Sequence, residues 1–460
     1  MNAIYEIVIL GGGPAGYLAA IRAEQLGATV AIVEQDEFGG VCLNRGCIPT
    51  KALLRTVELA VLGRKGKEFG VTEQAPLVIW PTAHSRKERV IKSLRLGVEH
   101  LLKNDKIRVF RGRGSIVSPE EVKVEMLEDT AVLRCKKILV ATGSASVRPA
   151  IPGAELAMTS DELLSLTETP TSLAIIGGGA IGLEFAQMFS GLGSKVTVLE
   201  MAEQVLPQED AEMAGEVLKL LKRQGVQIQT AASVREIKPH EGGAVLTFAV
   251  GDKEVSLEAS HVLLAAGRKP SVPAELIALG AAVSPSGALL VDERFETSIP
   301  GIYAAGDVTG GRLLAHKAYA EGKAAVENAL GFSASLTPQT IPACVYIQPE
   351  LATVGLNEGE AIAAGYEVRV GRFLFRNNGR ALALGERDGL VKVVTDQKTQ
   401  VILGAQILGA EATELISELT LAVALGLKAD VLADLVHPHP TLSEAVMEAC
   451  ADAIGRAIHK

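Results

Sequence analysis

Cys42 and Cys47 stand five positions apart in Gly39-Gly40-Val41-Cys42-Leu43-Asn44-Arg45-Gly46-Cys47-Ile48-Pro49-Thr50-Lys51, and they are two of only five cysteines. On an ideal α-helix that spacing rotates the second side chain about 140° from the first and holds the Cα atoms more than about 7 Å apart. A Cys42–Cys47 bond therefore demands a distorted turn, for which Gly46 supplies backbone freedom. A bridge bent in this way is easier to reduce than a relaxed structural one, and we read the pair as a redox disulfide. Two buried free thiols or half of a zinc site are the bland alternatives. No Cys or His follows at ligand spacing, so no metal is expected.

Other residues invite chemistry as well. Far along the chain runs His437-Pro438-His439-Pro440-Thr441-Leu442-Ser443-Glu444. Its two prolines prevent a regular helix and hold His439 on a rigid turn, with Glu444 in reach to orient the ring. A lone histidine is usually an ordinary core or surface residue; one so held is a candidate general base. Gly11-Gly12-Gly13-Pro14-Ala15-Gly16 and Gly177-Gly178-Gly179-Ala180-Ile181-Gly182 are two copies of a dinucleotide fingerprint. In the first, Gly11 makes the turn, Gly13 admits a pyrophosphate and Gly16 permits close helix packing. Gly177, Gly179 and Gly182 repeat those roles. From first glycine to the acid that would meet an adenosine ribose is 23 residues in both copies, Gly11 to Glu34 and Gly177 to Glu200. One such motif is a weak signal; two with identical spacing indicate two bound dinucleotides.

These residues need strand–turn–helix–strand units to position them. Ile4 to Leu10 and Ser172 to Ile176 are short apolar runs with a β-branched bias, expected as buried parallel strands. Helix is expected from Ala15 to Gly27 and strand from Thr29 to Val33, with Val196 to Leu199 as its later counterpart. Lys137 to Gly143 and Val262 to Gly267 echo each other as strands closing the two nucleotide units. A helical region, about Lys51 to Lys103 with a break near Pro76 to Pro81, gives way to a β-rich stretch up to Arg134. Arg148-Pro149 and Pro152-Gly153 mark the crossover into the second unit, and Arg268-Lys269-Pro270 the return. Ile302 to Asp307 reads as a strand ending in Gly-Asp, where Asp307 is either a cap or a ligand contact; Leu313 to Leu330 reads as helix. Beyond about Leu336 alternating strands (Glu367 to Phe375, Leu390 to Val394) precede helices. The helix Glu414 to Leu425 is apolar on more than one face, as expected of an interface.

The expected fold is α/β, with two Rossmann-like dinucleotide-binding domains and a C-terminal α+β dimerisation domain. The expected division is 1–147, 148–268, 269–337 (returning to the first domain) and 338–460. At 460 residues the chain exceeds a single core. A net charge of −9 with no basic run excludes nucleic acid as an expected partner. No stretch reaches 18 apolar residues, so no membrane span is expected. Met1-Asn2-Ala3 runs straight into the first strand, leaving no room for a leader, and the cytoplasm is the expected compartment.

Taken together, the Gly11 and Gly177 fingerprints, Gly39 to Lys51, Gly301 to Val308 and His437 to Glu444 make the chain resemble the dihydrolipoamide dehydrogenases, within the flavin-dependent pyridine-nucleotide disulfide oxidoreductases. The resemblance spans essentially the whole chain. It implies FAD in the first fingerprint and NAD in the second, with Gly143, Asp307 and Gly267 at the nucleotide sites and Lys51 and Glu184 paired beside the flavin. Val41 stands where the family commonly has Thr. It further implies a homodimer that oxidises dihydrolipoyl groups through Cys42, Cys47 and His439, serving a lipoyl-bearing acyltransferase or a glycine-cleavage carrier. Glutathione reductases of the same family use NADP; the segment after Glu200, Met201-Ala202-Glu203-Gln204, carries no cation, which favours NAD. Mercuric reductases carry a terminal cysteine pair, whereas Cys450 is single.

Overall fold

The structure, a computed structural model, describes residues 4–71 and 77–460. Met1, Asn2 and Ala3, and Pro76 at the expected break, lie outside the described residues.

The first nucleotide unit is built on β1 (Ile4–Leu10), α1 (Pro14–Gln25) and β2 (Val30–Glu34). Ile7, Val8 and Ile9 of β1 and Val30, Ala31 and Ile32 of β2 have no exposed surface, because this parallel sheet is covered on both faces. β3 (Ile107–Arg111), β4 (Arg113–Ser118), β5 (Glu121–Glu125) and β6 (Thr130–Val140) complete the sheet in the order β3-β2-β1-β6-β5-β4. β6 does not close it, however. A strand formed 160 residues later, Ile302–Ala304, pairs in parallel with the end of β6, Ile302 opposite Ile138. This return brings Gly306 and Asp307 beside the first fingerprint.

Between β2 and β3, the helices α2 (Gly40–Arg45) and α3 (Cys47–Arg64) carry the cysteine stretch, and α4 (Trp80–Leu101) follows them. The second nucleotide unit is a four-stranded sheet, in which Ser172–Ile176 lies between Lys195–Leu199 and His261–Leu264. A three-stranded antiparallel sheet, Ala232–His240, Gly243–Val250 and Lys253–Ala259, packs beside it. The C-terminal part is a five-stranded antiparallel sheet covered by the helices Ala412–Leu425 and Glu444–Ala453. The mixed α/β class read from the sequence is the one observed.

On the helix Ala412–Leu425, Ile416 and Leu419 are buried, while Leu421 and Leu425 are 58% and 65% exposed. Val436 beyond it is 93% exposed. The helix thus has two apolar faces and covers only one of them within its own chain. Among the described residues, no helix is long and apolar enough to cross a membrane.

Candidate active site

Gly46 interrupts the helix that would otherwise hold Cys42 and Cys47 on different faces. Its φ is −138°, which any residue can adopt, so left-handed freedom is not what it supplies. A Cβ there would stand 3.1 Å from the Val41 carbonyl oxygen, and the helix could not fold back as closely. The break is clamped from both sides: Thr50 Oγ1 donates to Gly46 O at 2.7 Å, and Asn44 Nδ2 donates to Gly40 O at 2.9 Å and Phe38 O at 3.0 Å. The two sulfurs are free thiols in hydrogen-bond contact. The bond anticipated between them is not formed in this structure.

The proton is unequally shared. The hydrogen bond from Cys42 pulls the Cys47 thiol down to about 7, against the opposing effect of burial, and the nearby Lys51 charge assists. The same contact, followed by burial, pushes the Cys42 thiol far up. Lys51 Nζ is fixed by both Glu184 oxygens at 3.0 and 2.8 Å and lies 4.4 Å from the Tyr346 ring centre. Glu184, on the helix Ala180–Gly191, also accepts from Tyr346 N at 3.0 Å. One carboxylate thus ties together α3, the second nucleotide unit and the C-terminal part.

The cysteines open into a cleft of about 1290 Å3 that runs past Gly11, Gly13 and Glu34 and reaches Lys51, Gly143 and Asp307. Its glycines separate into two kinds. Gly11 has φ +104° and a Cβ there would sit 2.3 Å from Ala141 O; a Cβ at Gly16 would sit 1.8 Å from Gly11 O. Gly177 (φ +113°) and Gly182 repeat this against Ala265 O at 2.4 Å and Gly177 O at 2.0 Å. The fold itself requires these four. Gly13 and Gly179 have ordinary backbone angles, and a Cβ would meet only Gly40 Cα at 3.7 Å in the first case and nothing within 4 Å in the second. Nothing within the chain demands glycine there. The space a Cβ would fill lies in front of a helix N-terminus, where a pyrophosphate would sit. The residues present therefore fit two dinucleotides.

The two acids also match. Glu34 accepts from Gly12 N (2.6 Å) and Asp36 N (2.7 Å), and Glu200 from Gly178 N (2.6 Å) and Ala202 N (2.7 Å). Each carboxylate ties its glycine turn to the end of the next strand and keeps lone pairs for a ribose hydroxyl. Gly177, Gly179, Gly182, Glu200 and Gly267 do not line the large cleft; Ala180, Ile181 and Glu184 do. The second fingerprint thus turns one end of its helix towards the first site. Asp307 accepts from Ser144 Oγ at 2.5 Å, and Arg268 grips the same serine through its Oγ (2.9 Å) and O (2.7 Å).

His439 is elsewhere. Its side chain is 78% exposed, Nδ1 lies 2.8 Å from Glu444 Oε1, and it does not line the cleft. Burial pushes the Glu444 carboxyl up, but Thr441 N–H and His439 together hold it below its ordinary value. The dyad is formed; the chain does not bring it to its own cysteines.

Four site residues escaped the sequence reading. Ser144 and Arg268 flank glycines that were noticed, yet nothing local marks them as partners of Asp307. Tyr319, which lines the cleft, stands in a segment read only as helix, and Tyr346, which also lines it, in one assigned no element. Sheet and helix packing alone brings them in.

Comparison with known proteins agrees with this geometry. Residues 5–322 match the pyridine nucleotide-disulphide oxidoreductase family and residues 341–450 its dimerisation domain. The chain is 42% identical to a dihydrolipoyl dehydrogenase of Bacillus subtilis (strain 168), covering 99% of both chains. It is 38% identical to one of Halobacterium salinarum, covering 99% of this chain and 97% of that protein. Similar solved structures include a Cu(II) complex of the HOCl-induced flavoprotein disulfide reductase RclA from Escherichia coli (TM-score 0.87, 31% identity, 98% and 99% covered). LpdA from Mycobacterium tuberculosis is another (TM-score 0.88, 29% identity, 96% and 98% covered).

Proposed function

The chain belongs to the pyridine nucleotide-disulphide oxidoreductases, and from that premise we propose that it is a dihydrolipoyl dehydrogenase, oxidising protein-bound dihydrolipoamide to lipoamide and reducing NAD+. The observation that carries this reading is the hydrogen-bonded Cys42–Cys47 pair beside Lys51–Glu184, on the wall of a cleft that ends in a glycine cradle. Gly11, Gly13, Gly16, Glu34 and Asp307 would hold FAD, which would supply two-electron chemistry between the cysteine pair and the nicotinamide.

The chain's own residues control sulfur and proton. His439 of a second copy takes the proton of a dihydrolipoyl thiol, since the thiolate is the nucleophile. Glu444 accepts from His439 Nδ1–H and so leaves Nε2 to receive that proton. The substrate thiolate attacks Cys42; the new bond forms as Cys42–Cys47 breaks, and the electron pair passes to Cys47. Lys51, pinned by Glu184, stabilises the Cys47 thiolate. The second substrate sulfur, its own proton lost to water, then displaces Cys42 and releases cyclic lipoamide; Cys42 takes the proton held on His439, which leaves Cys42 as thiol and Cys47 as thiolate. Those are the protonation states favoured here.

NAD+ is the nicotinamide cofactor in this reading, supported by Glu200, which would repel a 2′-phosphate, and by the lack of Lys or Arg from 200 to 210. A homodimer is supported by the dimerisation-domain match and by the uncovered apolar face. We take 1–147, 148–268, 269–337 and 338–460 as the working domains, and a lipoyl-bearing acyltransferase or glycine-cleavage carrier as the partner. The test presents purified holoenzyme with dihydrolipoyl carrier proteins and NAD+, and separately with NADPH and glutathione disulfide or Hg(II). Carrier-dependent NADH formation is expected. Turnover with NADPH and a foreign acceptor alone would overturn the assignment.

A further inference from the structure

The helix Ala315–Ala329 runs against α1 so closely that a Cβ on Gly322 would lie 2.4 Å from Ala15 O. This contact sets two tyrosines face to edge, Tyr17 on α1 and Tyr319 on the later helix, with ring centres 6.0 Å apart and planes at 74°. Tyr17 Oη donates to Tyr319 Oη at 3.2 Å. Tyr319 is therefore the acceptor in the pair, and its own hydrogen remains to be given elsewhere. The ring lines the cleft that contains both cysteines. Among the described residues, Tyr319 has no hydrogen-bond partner other than Tyr17. Burial pushes the Tyr319 phenol far up, so it stays protonated.

Disulfide exchange puts charge on the two sulfurs in turn. Lys51, fixed by Glu184, favours the Cys47 thiolate on which the first electron pair arrives. The second pair arrives on Cys42. When the second substrate thiolate attacks the substrate sulfur bonded to Cys42, the lipoyl S–S bond forms, the S–Cys42 bond breaks, and Cys42 departs as a thiolate before it is protonated. Because its contact with Cys47 and then burial disfavour charge on Cys42 and outweigh the opposing Lys51 charge, this departure is the costly one.

We propose that the Tyr319 hydroxyl, oriented by Tyr17, donates a hydrogen bond to the Cys42 sulfur as that sulfur leaves the mixed disulfide with substrate. The proposal rests on the exchange set out above. Tyr319 is in this view a catalytic residue and Tyr17 a positioning residue, which polarises the Tyr319 O–H by donating to its oxygen.

The test compares holoenzyme with its Tyr319→Phe and Tyr17→Phe variants, using dihydrolipoamide and, separately, dithiothreitol, a dithiol that needs no lipoyl recognition. Tyr319→Phe keeps the ring packing and should lower kcat about 10- to 100-fold, the scale of one hydrogen bond to a charged group. KM should stay within about twofold, since the contact is made only as Cys42 departs. Tyr17→Phe should cost less, about 2- to 5-fold, because Tyr319 keeps its hydrogen. Acid-quenched samples of Tyr319→Phe should accumulate the substrate–Cys42 adduct, seen as added mass on the Cys42 peptide. A structural role would slow turnover without that adduct. Turnover of Tyr319→Phe within about twofold of the parent, or slowing without the adduct, overturns the proposal. Should the parent oxidise dithiothreitol but not dihydrolipoamide, the assigned substrate fails while the Tyr319 comparison still decides on the smaller dithiol.

Discussion

The Cys42 thiol donates towards Cys47 with Lys51 close by, so the reduced pair loses its first proton from Cys47, at about pH 7. In the reduced enzyme, iodoacetamide should therefore alkylate Cys47 at a rate that climbs through about pH 7, with Cys42 inert to far higher pH. Lys51→Met withdraws the positive charge and should move the Cys47 midpoint upward; an unmoved midpoint would show that Lys51 does not stabilise the thiolate. Glu200 carries a separate prediction. The parent should prefer NAD+ to NADP+ in kcat/KM, and Glu200→Ala should narrow the gap by removing the carboxylate that a 2′-phosphate would face. Equal efficiency with NADP+ in the parent would refute this role. The cysteines, His439, both acids and the fingerprint glycines could be picked out in the sequence because type and spacing mark them. Lys51 and Glu184, 133 residues apart, could be paired only through family resemblance. Ser144 and Tyr319 carry no local mark, since their meaning arises where separate elements meet.

At the scale of the element, each fingerprint is a strand, a tight turn and a helix whose glycines answer to different masters. Gly11→Ala forces a Cβ against Ala141 O at a left-handed φ and should destabilise the fold itself, by about 1–3 kcal/mol or more. Gly13→Ala meets no such obstacle and should leave the melting temperature of the flavin-free protein nearly unchanged while lowering flavin content. Calorimetry and the flavin-to-protein absorbance ratio separate the two effects; equal destabilisation by both substitutions would contradict the distinction. The sequence located these elements well where apolar runs are short and bounded by glycine, as at Ile4–Leu10 and Ser172–Ile176, both found with the expected ends. It missed that β6 continues into a pairing with Ile302–Ala304, because strand adjacency across 160 residues leaves no periodic trace. A second seam was also invisible. Lys392, 2% exposed on the strand Leu390–Asp396, meets Asp210 at 3.0 Å, Glu212 at 2.9 Å and Glu358 at 3.0 Å, joining the second nucleotide unit to the C-terminal sheet. Lys392→Met leaves Asp210 buried without its cation and should cost about 3–5 kcal/mol of unfolding free energy. The hydrogen bond from Arg372, with that from Lys392, holds Glu212 down to about 2. Its contribution is therefore complete above the ordinary carboxylate range, near 4.5, and is lost as pH falls from there towards 2. Denaturant titrations across that range, compared between parent and Glu212→Gln, would read it.

At the scale of the whole molecule, the exposed His439–Glu444 dyad and the cysteine cleft of one chain do not meet, and the apolar helix face stands between solvent and a second copy. A refolded mixture of His439→Gln and Cys42→Ser chains should regain about a quarter of the parent activity. With random twofold pairing, half the dimers are mixed, and each mixed dimer has one intact site. Mixed dimers that form without rescue would place base and cysteines in the same chain. The sequence hinted at this through the doubly apolar helix Ala412–Leu425, but no pattern along one chain can say which surface a twin will cover. The 93% exposure of Val436, three residues from His439, gives the arrangement a further consequence. On the shared-site proposal, the patch that would draw two chains together adjoins the residue each chain would lend to the other, so docking and competence would arise in one event. Specific activity per chain should then fall on dilution along the same curve as dimer content, and a newly made chain stays catalytically silent until it has found its twin.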